Sequence, residues 1–180
     1  MNRTAGEVID FWRNLGGKGW FSKSDAVDAE IAGRFGAVVA RAAGGDFEDW
    51  RSDPQSCLAL ILVLDQFSRN IHRGDARAFA GDARAVEVAR EALAAGYDKR
   101  VDHDLASFFY MPFMHSECLS DQQTCVALMH ANSGAESLKF ALLHRDIIAR
   151  FGRFPHRNPA LGRHTTPAEQ AFLDQGGFSG

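Results

Sequence analysis

Apolar residues recur every three or four positions along most of this chain, which is the spacing of amphipathic helices. One such stripe predicts a helix over residues 25–43 and consists of Val27, Ile31, Phe35, Val38 and Ala42. Similar patterns predict seven further helices, at about 4–15, 53–64, 76–95, 103–111, 120–131, 136–151 and from 166 onward. The sequence has no alternating strand patterns joined by hairpin turns. About eight helices with short loops predict an all-α fold of antiparallel helix hairpins.

Helix-start and helix-stop signals mark several of these boundaries. Residues 4–7 and 166–169 have the spacing of capping boxes, in which side chains satisfy the free N–H groups of a first helical turn. Ser120 is predicted to cap the sixth helix, and Pro112 to interrupt the fifth. The run 57–64 is apolar on all sides, so this helix is predicted to be central and buried.

Composition and charge exclude several classes of partner. The chain has 180 residues, of which 46% are hydrophobic and 24% charged, and this length predicts a single domain over residues 1–180. A formal net charge of −3 gives no long-range attraction to nucleic acid or to a membrane surface. The longest apolar run, 57–64, is too short to cross a bilayer. Without a signal-peptide pattern, and with three cysteines outside metal-type spacings, the chain is predicted to be cytoplasmic with reduced thiols.

The most hydrophobic helix ends in a polar set. Asp65 and Arg69 lie four positions apart, so they share a helix face and can form an ion pair. If buried, this pair would hold the guanidinium at a fixed angle toward an anion or a carbonyl group. The alternative is that the pair and Asn70 only cap the helix end and orient the next loop.

A second polar set spans residues 110–117, from Tyr110 across Pro112 to His115 and Glu117. A histidine near a carboxylate is the usual arrangement for proton transfer or for a metal site. Residues two apart in a helix do not face one another, however. The alternative is that Glu117 only stabilises the start of the following helix by complementing its dipole.

The third set is on the seventh helix, where His144 and Arg145 precede Asp146. His144 shares a stripe with Phe140 and Ile147, so it is predicted to face inward. A single histidine on an apolar face is more often a hydrogen-bonded core residue than a ligand. Its position shortly before a polar loop makes it a functional candidate as well.

That loop, residues 151–166, mixes Arg153, His156, Arg157 and Arg163 with aromatic residues between Gly and Pro boundaries. Aromatic anchors with charged neighbours predict a loop folded into a pocket. The local positive charge and the helix start at 166 favour an anionic ligand. The alternative is an arginine-rich structural loop that pairs with Asp65, Glu117 or Asp146.

These sets supply all of the candidate site residues. The catalytic candidates are Asp65, His115, Glu117, His144 and His156, and the ligand-binding candidates are Arg69, Asn70, Tyr110, Arg145, Arg153, Arg157 and Asn158. They are predicted to converge on a cleft. No metal site is predicted, because neither the H-E-x-x-H nor the Glu-x-x-His spacing occurs. Since a Gly-rich phosphate loop and a G-x-S-x-G motif are also missing, the cofactor stays unknown.

The same segments carry a resemblance. Residues 64–71, 110–117, 144–146 and 151–158 closely resemble the bacterial family called domain of unknown function 924. The match also takes in Trp20-Phe21, 161–163 and 166–169, so it covers nearly the whole chain. The resemblance implies an all-α fold of the tetratricopeptide-like superhelical kind. It implies no established activity, cofactor or catalytic residue.

Three functions stay open at this stage. The first is an enzyme or binding protein for a small anionic or polar metabolite, with hydrolysis or proton transfer as its chemistry. The second is a helical-repeat adaptor that binds a peptide or partner protein, and the third is a buried polar network that only fixes the structure. The accumulation of histidine and carboxylate side chains favours the first, because an adaptor would need only Arg, Asn and Tyr.

Overall fold

The computed structural model describes residues 3–178, and within that range the chain is helical with no strand. The α-helices are α1 (Arg3–Trp20), α2 (Asp25–Ala43), α3 (Pro54–Ile61), α4 (Ser68–Ile71), α5 (Asp82–Ala94), α6 (His103–Ala106), α7 (Met111–His115), α8 (Leu119–Asn132), α9 (Ala135–Phe151) and α10 (Pro167–Asp174). A π-helical turn, Leu62–Phe67, joins α3 to α4. Short 3-10 turns are Glu48–Ser52, Ala76–Phe79, Tyr97–Lys99, Ser107–Phe109 and Pro155–Arg157. The all-α prediction is confirmed.

The first helix differs from its prediction at both ends. It begins at Arg3, so Thr4 lies inside the helix and the capping box predicted at this end was wrong. The Glu7 carboxylate instead accepts a hydrogen bond from Arg3 Nε at 3.2 Å. The helix was predicted to end at about residue 15, but Gly16 only breaks it, with φ +68°, and helical residues continue to Trp20.

Other boundary signals had mixed outcomes. The box at Thr166 and Glu169 is present, with both reciprocal hydrogen bonds formed. Ser120 was wrongly predicted as a cap, since Cys118 occupies the cap position of α8 and Ser120 lies inside the helix. Pro112 lies in the first turn of α7, where its missing N–H removes no helical hydrogen bond.

The described chain forms two compact units. The first includes the chain up to Arg73 and again Arg77–Pro112, and the second includes Gly74–Ala76 and the chain from Phe113 onward. The single domain over residues 1–180 stays a prediction. Among residues 3–178, no helix combines the length and the apolarity needed to cross a membrane.

The core of the first unit is built around the apolar run 57–64, whose residues are at most 1% exposed. This confirms the prediction of a buried, central helix. Aromatic rings of the same unit contact one another, as between Trp12 and Phe67 at 5.6 Å and between Phe11 and Phe35 at 5.5 Å. Each such pair adds about 0.5–1.5 kcal/mol beyond the burial of its area.

The second unit contains the helix hairpin α8–α9 and the polar loop that follows it. Gly152 ends α9 in the left-handed region, with φ +69°, and its N–H bonds Ile148 O at 2.8 Å. The chain then turns so that Phe154 packs fully buried on Ile147 and Ile148. The helix end and this aromatic anchor together place the loop 152–166 against the hairpin.

Candidate functional site

In the first unit, Asp65 lies on the π-helical turn and is only 1% exposed. Its Oδ2 accepts a hydrogen bond from Gln66 Nε2 at 2.6 Å, and its Oδ1 lies 3.1 Å from Arg69 Nη1. The predicted Asp65–Arg69 ion pair is therefore confirmed. Turns of π-helix occur often at functional sites, so this position is a candidate on backbone grounds as well.

Arg69 is shared between two carboxylates. Its Nη1 also donates to Asp65 O at 2.7 Å, and its Nη2 donates to Asp82 Oδ2 at 2.9 Å. Burial alone would lower the pKa of Arg69, but the charges of Asp65 and Asp82 outweigh burial and raise it. The guanidinium is thus held rigidly between fixed partners, which suits a structural role at least as well as ligand binding.

Two further candidates of the first unit have carboxylate partners. Asn70 Nδ2 donates to Asp28 Oδ1 at 2.7 Å, and Tyr110 donates its hydroxyl hydrogen to Asp98 Oδ2 at 2.9 Å. Burial and the neighbouring Asp98 raise the pKa of the Tyr110 hydroxyl. Tyr110 is therefore a neutral hydrogen-bond donor at physiological pH.

In the second unit, Glu117 anchors the polar loop. Its carboxylate accepts hydrogen bonds from Arg163 Nη1 at 2.7 Å and from the Phe154 N–H at 2.8 Å. Burial opposes ionisation of Glu117, but these two hydrogen bonds outweigh it and lower its pKa. The predicted pairing of a loop arginine with Glu117 is present, and a purely structural role of the loop stays a prediction.

Glu169 is a second anchor and is 2% exposed. Arg153 donates to it through Nε at 2.6 Å and through Nη2 at 2.8 Å, a two-pronged ion pair. This pair and the capping hydrogen bonds from Thr166 lower the pKa of Glu169 to about 2. The fully buried Asn158 links both anchors, since its Oδ1 accepts from Arg163 Nε and its Nδ2 lies 3.4 Å from Glu169 Oε2.

Three histidines lie close together in the same unit. His144 Nδ1 is 2.8 Å from Phe140 O, and the ring centroids of His144 and His115 are 6.3 Å apart. His144 and His156 both contact the rings of Phe154 and Phe178, at centroid distances between 4.5 and 5.6 Å. We call His115, His144 and His156 the histidine cluster.

The remaining candidates of the second unit border this cluster or lie at the surface. Arg157 is buried, donates to His115 O at 3.0 Å and lies over the Phe154 ring at 4.4 Å. Arg145 pairs with its exposed neighbour Asp146 at 2.6 Å. Across residues 3–178, no three histidine, cysteine or carboxylate side chains are placed to hold one metal ion.

Comparison with known proteins gives the chain a family. The model of the family DUF924, described as bacterial protein of unknown function, matches residues 8–177. The chain belongs to this family. A solved structure of a protein of unknown function, ATU0120 from Agrobacterium tumefaciens, is similar, with 42% sequence identity and a TM-score of 0.91 over 96% of this chain and 97% of that one. No curated protein matches.

In this DUF924 protein the predicted site residues fall into two sets. Asp65, Arg69, Asn70 and Tyr110 belong to the first unit, and the other eight belong to the second. Within the second unit, ion pairs and ring contacts bring together His115, Glu117, His144, Arg153, His156, Arg157 and Asn158. The convergence of all twelve on one cleft stays a prediction.

The structure adds residues that sequence reasoning did not place in the site. Glu169 was predicted only as a capping residue, although it is also the buried partner of Arg153. Asp82 and Asp98 were not predicted, because their partners lie 13 and 12 positions away with no helical spacing to signal the contact. The partners of Asp82, Asp98 and Glu169 in this chain are thus set by the fold rather than by helical spacing.

Proposed function

We propose that this protein binds a small anionic metabolite at the histidine cluster of its second unit, with His144 as the acid–base group of a hydrolytic or proton-transfer reaction. The observation that carries the proposal is the fixed ring of His144, which is 5% exposed with Nδ1 2.8 Å from Phe140 O. Because a carbonyl oxygen only accepts, Nδ1 carries the hydrogen. When the ring is neutral, Nε2 is therefore its basic nitrogen.

The charge of the surrounding loop supports an anionic ligand. The loop network contains three guanidinium groups, on Arg153, Arg157 and Arg163, and two carboxylates, on Glu117 and Glu169. These guanidinium groups lie beside histidines that can also become positive. A positively charged cluster attracts anions, and this attraction weakens as the salt concentration increases.

The same ion pairs supply rigidity. Arg153 with Glu169 and Arg163 with Glu117 fix both ends of the loop, so His156 and Arg157 are held in place before any ligand arrives. A site that is ordered in advance loses less conformational entropy on binding. The ion pairs therefore support binding without contacting the ligand.

A thermal-shift screen of phosphorylated metabolites and carboxylates tests this proposal. A ligand at 100 times its Kd adds about 2.7 kcal/mol and should raise the Tm by roughly 5–10 °C. His144→Gln and His156→Gln should abolish the shift, whereas His130→Gln, at an exposed histidine on α8, should retain it. Circular dichroism confirms that each variant is folded.

Other outcomes of the screen reject the proposal. If His144→Gln and His156→Gln melt several degrees lower but no anion shifts the wild type, the cluster is part of a structural network. A shift that survives both substitutions would place the anion elsewhere in the molecule.

An adaptor function is the second candidate, and solvent-facing aromatic residues favour it. Phe21 is 69% exposed and Phe140 on α9 is 43% exposed, as the adaptor hypothesis expects. Both rings are available for contact with a peptide or protein partner. This alternative is supported if a peptide or protein partner binds the wild type but not Phe21→Ser or Phe140→Ser. Both variants should then keep the Tm shift that the anion causes.

A further inference from the structure

A cleft of about 270 Å³ lies in the first unit and shares no lining residue with the histidine cluster. Side chains from α2, from the segment 63–72 and from residues 77–81 line it. Its volume lies just below the roughly 300–1,000 Å³ range of small-molecule pockets. The cleft therefore fits a ligand of metabolite size rather than a peptide.

The floor of the cleft is apolar and buried. Val39, Val63 and Leu64 contribute its side chains, and all three are at most 4% exposed. Gly81 completes the floor, because a Cβ atom there would lie 2.6 Å from Leu64 O. Ser68 is the polar exception, but its hydroxyl donates to Leu64 O at 2.6 Å and so presents little polarity to a ligand. This floor suits a hydrocarbon chain.

The rim of the cleft has the opposite character. Arg77 is exposed and His72 is half-buried, and both line the cleft together with the exposed Ala40 and Ala43. Among the described residues that line it, none is acidic. An apolar floor beneath a basic rim is complementary to a molecule with an apolar body and an anionic head.

We infer that this cleft binds a medium-chain carboxylate, with its hydrocarbon chain on the floor and its carboxylate at Arg77 and His72. The inference does not depend on the histidine cluster, since the two sites share no residue and lie in different units. Either site can therefore fail its test while the other stands.

Isothermal titration calorimetry with octanoate, octanol and acetate separates the contributions of the hydrocarbon chain and of the carboxylate to the affinity. Octanoate should bind saturably at one site. Octanol, which lacks the charge, should bind about fivefold more weakly, the effect of losing one exposed ion pair. Acetate, which lacks the chain, should show no binding. Equal affinity for octanoate and octanol, or no saturable binding of octanoate, would overturn the inference.

A matched pair of glycine substitutions tests the location. Gly36 lines the cleft, and a Cβ atom there meets nothing within 4 Å, so Gly36→Leu fills the space without disturbing α2. Gly33 lies one turn earlier with equally open surroundings but does not line the cleft, which makes Gly33→Leu the control. Gly36→Leu should weaken octanoate binding more than tenfold, and Gly33→Leu should leave it unchanged.

Substitution of the rim tests the contact with the head group. Arg77→Gln should reduce the affinity for octanoate to that for octanol and leave the affinity for octanol unchanged. If Gly36→Leu binds octanoate like the wild type, or if Arg77→Gln weakens both ligands equally, the proposed orientation is wrong.

Discussion

Asp65 and Glu169 are both nearly fully buried carboxylates, with 1% and 2% of their surface exposed, but their environments differ. Asp65 takes its partners from its own helix, at the next position and four positions on, within an apolar core. Glu169 takes its arginine from a loop 16 residues earlier. Asp65 thus contacts close neighbours in sequence within the core, whereas Glu169 contacts a distant arginine that is partly exposed.

The balance of charge differs as well. In the first unit the guanidinium of Arg69 contacts both Asp65 and Asp82. In the second, Arg153 and Arg163 each have a carboxylate, on Glu169 and Glu117, and the buried Arg157 donates to His115 O. The first network is therefore expected to contribute stability and the second to combine stability with attraction of anions.

The largest expected effect is that of Arg69→Met, which removes the shared cation. Asp65 and Asp82 would then both lose the cation that contacts them. Removal of one member of a buried ion pair typically costs about 3–5 kcal/mol. Urea unfolding should show a loss of this size in the free energy of unfolding.

The control for this prediction is Arg13→Met in the same unit. Arg13 pairs with Asp102, but both side chains are about half exposed, so the loss should be below about 1 kcal/mol. Equal losses in the two variants would mean that burial of Asp65 does not decide the cost.

A smaller effect is expected for Glu169→Gln in the second unit. The substitution removes the charge that Arg153 contacts through two hydrogen bonds, but Arg153 is partly exposed and can be solvated again. The expected loss is about 2–3 kcal/mol at neutral pH. Urea unfolding measures it, with Glu136→Gln as control because Glu136 is exposed.

The pH dependence of this loss follows from the pKa of Glu169, which is about 2 in the folded protein and 4.5 ordinarily. Since folding lowers the pKa, the carboxylate stabilises the fold fully above about pH 4.5. That contribution disappears as the pH falls from 4.5 toward 2, because the group becomes protonated. The wild type and Glu169→Gln should therefore converge in stability over this window, and parallel pH profiles would contradict the assignment.

The contrast between the networks also explains what the sequence could reveal. The Asp65–Arg69 pair was predictable because residues four apart share a helix face. The buried run 57–64 was predictable because it is apolar on all sides. Helix caps were predicted less well. Thr4 and Ser120 have hydroxyl side chains suited to an N-cap, but both residues lie inside their helices.

The contacts of the second unit could not be read from spacing. Glu117 meets Arg163 across 46 positions, and their contact depends on how the chain turns at Gly152. The sequence indicated an arginine-rich loop and candidate acids, but not which acid binds which arginine. Long-range pairing of this kind is set by the packing of Phe154 and the helices around it, which local patterns do not encode.

The smallest expected effect concerns the thiols, which report how readily each unit opens. Cys57 in the first unit and Cys125 in the second are buried, and burial raises the pKa of each to about 12. Cys118 is exposed, and hydrogen bonds from Ser120 and from the backbone N–H of Asp121 lower its pKa. The native protein should therefore release one equivalent of thionitrobenzoate from Ellman's reagent quickly. Cys118→Ser should abolish this fast release while changing the free energy of unfolding by less than about 0.5 kcal/mol.

The slow reactions of Cys57 and Cys125 with the same reagent then measure local opening in the two units. If the first network makes its unit the more stable, Cys125 should react faster than Cys57, and the reverse order would contradict that interpretation.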